Sequence, residues 1–397
     1  MKCNSVGDEG SQIMKITVAI DSFKGSLNTF QSGAAITDGI HAVYPDAQIK
    51  VCPLADGGEG TVSAIVSALN GEMCKVDVCG PLGKKVVAEY GIISAKQLAV
   101  IEMSAAAGIT LVPDEQRNPL NTTTYGVGEL ILHAIEKKNC RHFLIGIGGS
   151  ATNDGGLGML SALGFEFLDK EGNPVSHCGK GLRDVVKINA DRCLPALKKC
   201  TFEIACDVNN PLCGENGCSR VYGPQKGATE EMICDMDAWL SNYAELTKTV
   251  FENSDANYPG AGAAGGLGFA FLSYLGASLT SGIELVIKVT ELERYINDAD
   301  VVITGEGRLD AQSCMGKAPV GVAMTAKKYG KPVIAFSGAV TKDAGLCNEY
   351  GIDAFFPIVR IPCSLKAAMD LENAYANLKN TVEQAFRLIK TFSKNVQ

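Results

Sequence analysis

Six stretches of this 397-residue chain set glycine among acidic, amide, hydroxyl or basic side chains, and each follows an apolar run or opens a helix-like one. The first, DSFKGS, places Asp21 and Lys24 on one turn. Lys24 could hold a phosphate as a mobile positive charge, with Asp21 positioning it or binding Mg²⁺; a capped turn with Lys24 in solvent accounts for the same residues. ADGGEGT sets Asp56 and Glu59 around two glycines. Asp56 suits a metal ligand or a base, and Glu59 the dipole of the helix that follows. IGIGGSATNDGGLG is the strongest anion-binding candidate, because small residues let backbone amides converge on a phosphate. Gly149 belongs to that cradle, Ser150, Thr152 and Asn153 add polar groups, and Asp154 could serve a metal or a cap. No GK[ST] follows, so this is not a Walker A loop, and the GxGxxG dinucleotide spacing is also missing.

Asp207 stands at the end of an apolar run with Asn209 and Asn210 behind it, as a base, a Mg²⁺ ligand or an Asx turn would. PGAGAAGGLG, with Gly265 and Gly266, could press a nucleotide against bare backbone or allow a close helix contact. In GEGRLDAQS, Arg308 could clamp a carboxylate through two parallel hydrogen bonds and Asp310 could be a base or metal ligand; a mutual ion pair is the plain alternative. Together these loops supply what phosphoryl transfer requires: anion cradles, fixed cations, and carboxylates for Mg²⁺ and the attacking hydroxyl.

The elements that must position them read as an α/β protein. Lys15–Ile20 is a β-branched strand, DSFKGS its loop, and a helix is expected over 27–43. IKVCPLA, DGGEG and a helix through Leu69 repeat the order. ADVVIT, the GEGRLDAQSCMGK loop and a helix over 319–329 repeat it again, followed by strands in PVIAFSG and DAFFPI. Such alternation argues for a parallel sheet covered on both faces, with ligands beyond the carboxyl ends of the strands. A final helix is expected to start at a Ser364 cap, with Leu371, Ala374, Leu378, Val382, Phe386 and Ile389 on one face. The middle of the chain holds shorter β segments and a helix capped by Thr229, whose apolar stripe is Ile233, Met236, Leu240, Tyr243 and Val250.

Bulk composition narrows the classes. A chain of this length calls for two domains and one active cleft between them. The net charge of −8, with no basic run, argues against nucleic acid. No apolar run approaches the ~20 residues a bilayer requires, so no membrane partner is expected. Fifteen cysteines without a CxxC pair, and four histidines, suit buried free thiols in a reducing cytoplasm better than disulfides or zinc. Residues 1–13 are polar, carry no signal-peptide core and read as a disordered leader.

DSFKGS, PLADGGEGT, NPLNTTTYGVGELI, GIGGSATNDGGLGML, DVNNPLCG with GPQKGA, PGAGAAGGLG and GEGRLDAQS, in this order, resemble the bacterial glycerate kinase family from about Met14 to the last helix. The resemblance implies ATP- and Mg²⁺-dependent phosphorylation of D-glycerate, with 2-phosphoglycerate and ADP as products; the 3-hydroxyl and other small hydroxy acids are the alternatives. It also implies that 14–85 and 286–397 form one discontinuous Rossmann-like domain and 86–285 a middle α/β domain. Carried onto this chain, catalysis falls to Lys24, Asp207 and Asp310, with the base at Asp207 or Asp310. Phosphate and nucleotide fall to Gly149, Ser150, Asn153, Gly265 and Gly266. Substrate falls to Ser104, Thr122, Thr123 and Arg308, and the metal to Asp56 and Asp154. Ala107 stands where the family pattern carries a hydroxyl. A monomer or homodimer is expected. A nicotinamide-dependent dehydrogenase lacks its fingerprint here, and a non-catalytic sugar-acid sensor would not need so many loop carboxylates.

Overall fold

The structure, a computed structural model, describes residues 13–55, 57–58 and 60–393. The expected leader, apart from Ile13, and the Asp56 candidate lie outside the described residues. The chain divides into two compact units: the residues up to Leu54 together with those from Glu291 onward, and Ala55–Thr290.

In the first unit five parallel strands stand in the order Ala354–Pro357, Val333–Val340, Val301–Leu309, Lys15–Ile20, Gln48–Pro53. The central strands are continuous apolar runs because helices cover them. The helix Thr29–His41 begins in a capping box: Asn28 Oδ1 accepts the Gln31 N–H at 2.9 Å and Gln31 Oε1 accepts the Asn28 N–H at 3.0 Å. Its buried Ala35, Ile36 and Ile40 join Leu378, Val382 and Phe386 of the last helix in one core. Gly39 permits that contact, since a Cβ there would meet the Lys379 carbonyl oxygen at 2.6 Å. The last helix differs from the sequence expectation. Ser364 caps only a short helix, Leu365–Met369, and the long helix Leu371–Ser393 starts anew beyond Asp370. Ala374, Leu378, Val382 and Phe386 are buried as the spacing predicts, whereas Leu371 is exposed.

The second unit holds a six-stranded mixed sheet in the order Ser278–Thr280, Thr201–Ala205, His142–Gly146, Leu98–Glu102, Lys85–Ile93, Glu72–Cys79. The first four are mutually parallel and the last two are antiparallel additions. This corrects the boundary expected at residue 85. The strand Glu72–Cys79 pairs along its whole length with Lys85–Ile93, so the hairpin cannot be divided between units. Thr229 caps the helix Glu230–Val250 as expected; Ile233, Met236, Leu240 and Tyr243 are buried and Val250 is exposed. Among the described residues no helix is long and apolar enough to cross a membrane.

Candidate active site

Two clusters of candidate residues emerge, one on each unit. In the second unit Glu102, Gly146, Ala205 and Thr280 are register partners, so the loops that follow them leave from one edge of the sheet. The loop after Gly146 is braced by the segment after Glu102. Ile109 N–H donates to Gly149 O at 2.8 Å, Ala151 N–H donates to Ala107 O at 2.9 Å, and Gly108 bridges Ser150. Gly149, at φ +70°, makes the turn. Gly148 and Gly149 are exposed, and Ser150 and Ser104 half-buried, so these four present amides and hydroxyls outward. Gly57 lies across the same strand ends: a Cβ at Gly146 would meet Gly57 O at 2.2 Å, and one at Gly57 would meet the Ala205 Cβ at 2.8 Å. Asp207 is exposed on the neighbouring loop, and its Oδ1 accepts the N–H of Gly282, the first residue of the helix Gly282–Val289, at 3.0 Å.

Other second-unit candidates face inward. Asp154 is fully buried, and its carboxylate accepts from Thr124 N at 2.8 Å, Thr124 Oγ1 at 2.7 Å, Gly156 N at 3.2 Å and Gly158 N at 3.3 Å. Burial raises its pKa against the pull of those donors. The carboxylate of Asp154, expected to serve the metal, here ties the glycine loop to the start of the helix Tyr125–Lys138. Thr122 and Thr123, expected as substrate contacts, also face inward. Both are buried; Thr122 Oγ1 donates to Ala151 O at 3.0 Å and Thr123 Oγ1 donates to His177 O. Asn153, expected to contact phosphate, is fully buried, and its Nδ2 donates to Ser219 Oγ at 3.0 Å. Gly265 and Gly266, expected to receive a nucleotide, lie against neighbouring protein backbone. Gly155 N–H donates to Gly265 O at 2.9 Å, and Cβ atoms at the two glycines would meet Thr152 O at 2.1 Å and Gly155 Cα at 2.8 Å. Their bareness serves loop-on-loop packing.

A buried cation lies behind this loop. Lys226, from GPQKGA, donates from Nζ to Thr152 O at 2.6 Å. Burial pushes its ammonium down from 10.5 to about 8, with Cys218 and Asp154 opposing the shift. A lysine between glutamine and glycine carried no sequence signal of burial.

In the first unit the strand Val301–Leu309 runs through what the sequence suggested was a loop. Asp21 N–H donates to Gly305 O at 3.0 Å, and a Cβ at Gly307 would stand 3.3 Å from the Lys24 nitrogen. The DSFKGS turn is thereby laid beside GEGRLD. Lys24 and Arg308 are exposed. Arg308 Nε lies 3.3 Å from Asp310 Oδ2, and Asp310 Oδ1 caps the next turn by accepting the Gln312 N–H at 2.9 Å. So open an ion pair contributes little stability and leaves Arg308 able to turn to an anionic ligand. Glu306, unremarked in the sequence because glycines flank it, shares this edge, and burial raises its pKa. A hollow of about 140 Å³, lined by Lys15, Gln48, Lys50, Tyr295 and Asp298 among others, opens at the opposite, amino-terminal edge of this sheet.

Comparison with known proteins gives the clusters a context. The glycerate kinase family profile matches residues 16–390. A protein of Escherichia coli (strain K12) named glycerate 2-kinase is 49% identical over 365 residues, 92% of this chain and 95% of its own. One of Haemophilus influenzae named glycerate kinase is 47% identical over 95% of this chain and 99% of its own. A crystal structure from Salmonella typhimurium LT2, described provisionally as glycerate kinase 2, matches with a TM-score of 0.89 at 45% identity, covering 96% of this chain and all of that one. The chain belongs to the glycerate kinase family.

Proposed function

We propose that this protein phosphorylates D-glycerate, transferring the γ-phosphoryl group of ATP to the 2-hydroxyl to give 2-phosphoglycerate and ADP. The observation that carries the reading is the exposed Gly148–Ser150 turn beside Asp207, at register-matched ends of parallel strands. The names of the relatives supply glycerate as the acceptor.

On the second unit the amides and hydroxyl of Gly149 and Ser150 hold phosphate oxygens and Ser104 offers its hydroxyl to substrate; on the first, Lys24 is the catalytic cation. Arg308 grips the glycerate carboxylate through two parallel hydrogen bonds. An aspartate, Asp207 or Asp310, orients the substrate hydroxyl and takes its proton late, as the new O–P bond forms; the electron pair of the broken P–O bond leaves on ADP. Mg²⁺ would be held by the Asp56 carboxylate beside the phosphates, since this ion needs only one or two carboxylates. When bound, the ion neutralises phosphate charge.

The test is glycerate-dependent ADP release with each enantiomer, followed by NMR of the product. Release with D-glycerate and a phosphorus coupling at C2 are expected. No release, or coupling at C3, refutes the reading or its position. Asp207→Asn is expected to lower kcat by about 10²-fold.

A further inference from the structure

Glu306 occupies a place where the backbone has no room to shift. It pairs with Ser337 across the parallel ladder, between Gly305, which the packing requires, and Gly307. A Cβ at Gly305 would meet the Phe336 carbonyl oxygen at 1.9 Å, and one at Gly307 would crowd Lys24. From this post Glu306 Oε1 accepts a hydrogen bond from Ser313 Oγ at 2.5 Å. Ser313 is fully buried, and its Oγ accepts the Asp310 N–H at 3.1 Å. A hydroxyl has one proton to give, and here Glu306 receives it. The result is a directed chain, from Asp310 N–H through Ser313 to the Glu306 carboxylate. The Asp310 side chain has no comparable anchor: it caps its own turn and faces the mobile head of an exposed arginine.

We propose that Glu306 is a positioning residue for phosphoryl transfer, acting through Ser313 to fix the turn 310–313 and with it the direction of Asp310. The proposal rests on the kinase reading above and assigns the unit's working carboxylate to Asp310. The charged and titratable groups facing Glu306 are Lys317, Asp310, Lys24 and the Cys347 thiol. The burial that raises its pKa is opposed first by the Ser313 hydrogen bond and then by Lys317. A half-buried carboxylate held by a neutral hydroxyl suits an anchor.

Glu306→Gln, Glu306→Ala and Ser313→Ala in the full chain test this. Glutamine keeps an acceptor for Ser313, so its kcat should stay within about threefold of the parent, whereas both alanine variants should lose about tenfold or more with KM for ATP and glycerate nearly unchanged. Glutamine falling as far as alanine would assign Glu306 a charge-dependent role and overturn the proposal, as would alanine variants of normal kcat. If Glu306→Ala does not fold, Ser313→Ala against Glu306→Gln decides. Hydrogen–deuterium exchange over 308–316 gives an arm independent of substrate: faster exchange in the alanine variants and parental exchange in Glu306→Gln are expected, and equal exchange in all three overturns it. Absence of glycerate-dependent ADP release in the parent would instead refute the functional reading and leave the exchange result standing.

Discussion

Replacing Asp154 separates a structural carboxylate from a metal ligand. Four donors end on it: Thr124 N, Thr124 Oγ1, Gly156 N and Gly158 N. The buried Lys226 ammonium lies within its field. Asp154→Ala orphans all four donors and removes one of the charges that favour that cation. Orphaned buried donors cost ~1–3 kcal/mol each, but neighbours are not additive. The whole loss is therefore on the order of 4 kcal/mol, a large part of the ~5–15 kcal/mol that holds a domain together. In a unit of this size that corresponds to a fall in Tm of roughly 10 °C. Asp154→Asn keeps one acceptor and should lose about half as much. The assay is thermal unfolding followed by circular dichroism, beside the Mg²⁺ dependence of ADP release. A midpoint unchanged within about 2 °C, with a Mg²⁺ requirement raised tenfold or more, would restore Asp154 as a metal ligand and refute this reasoning.

Lys226 gives a pH signature. Its folded-state pKa is depressed from 10.5 to about 8, so as pH falls through that window the unfolded chain takes up the proton first. The Lys226 contribution to stability should be greatest above pH 10.5 and decline by on the order of 3 kcal/mol toward pH 8, so urea titrations of Lys226→Met should differ from the parent by that slope. Gly265→Ala drives a methyl against the Thr152 carbonyl oxygen at a backbone angle of φ +68°, and should cost about 3 kcal/mol in urea titrations with a parallel loss of kcat. Thr122→Val removes a hydroxyl that ends on Ala151 O, so it should cost about 1 kcal/mol of stability while KM for glycerate stays within about twofold. A tenfold rise in that KM would return Thr122 to the substrate.

What the sequence made legible was whatever is written in local periodicity. The strands Lys15–Ile20 and Val333–Val340 and the stripe of Ile233, Met236, Leu240 and Tyr243 stand where alternation and helical spacing put them. The rule that ligands bind beyond parallel strand ends selected the loops of Lys24, Gly149 and Asp207, and the strand end that carries Arg308. Illegible was the direction in which a loop side chain points. Asp154, Asn153, Thr122 and Thr123 have the composition of ligand contacts, yet partners such as Ser219 and His177 turn them inward from distant parts of the chain. Gly265 and Gly266 look the same whether a ligand or Thr152 lies against them. The hairpin Glu72–Cys79 escaped because antiparallel pairing with Lys85–Ile93 depends on register and not on composition.

The interleaving of the two units sets an order of assembly during translation. The strand Lys15–Ile20 emerges first, yet one of its two neighbours, Val301–Leu309, and the helix that buries Ile36 and Ile40 are among the last segments made. The inserted Ala55–Thr290 carries a complete sheet and can close while still attached to the ribosome. The opening strands must therefore wait with apolar faces uncovered, and a nascent chain halted before residue 301 will hold one finished body and an N-terminal strand that has only Gln48–Pro53 to pair with.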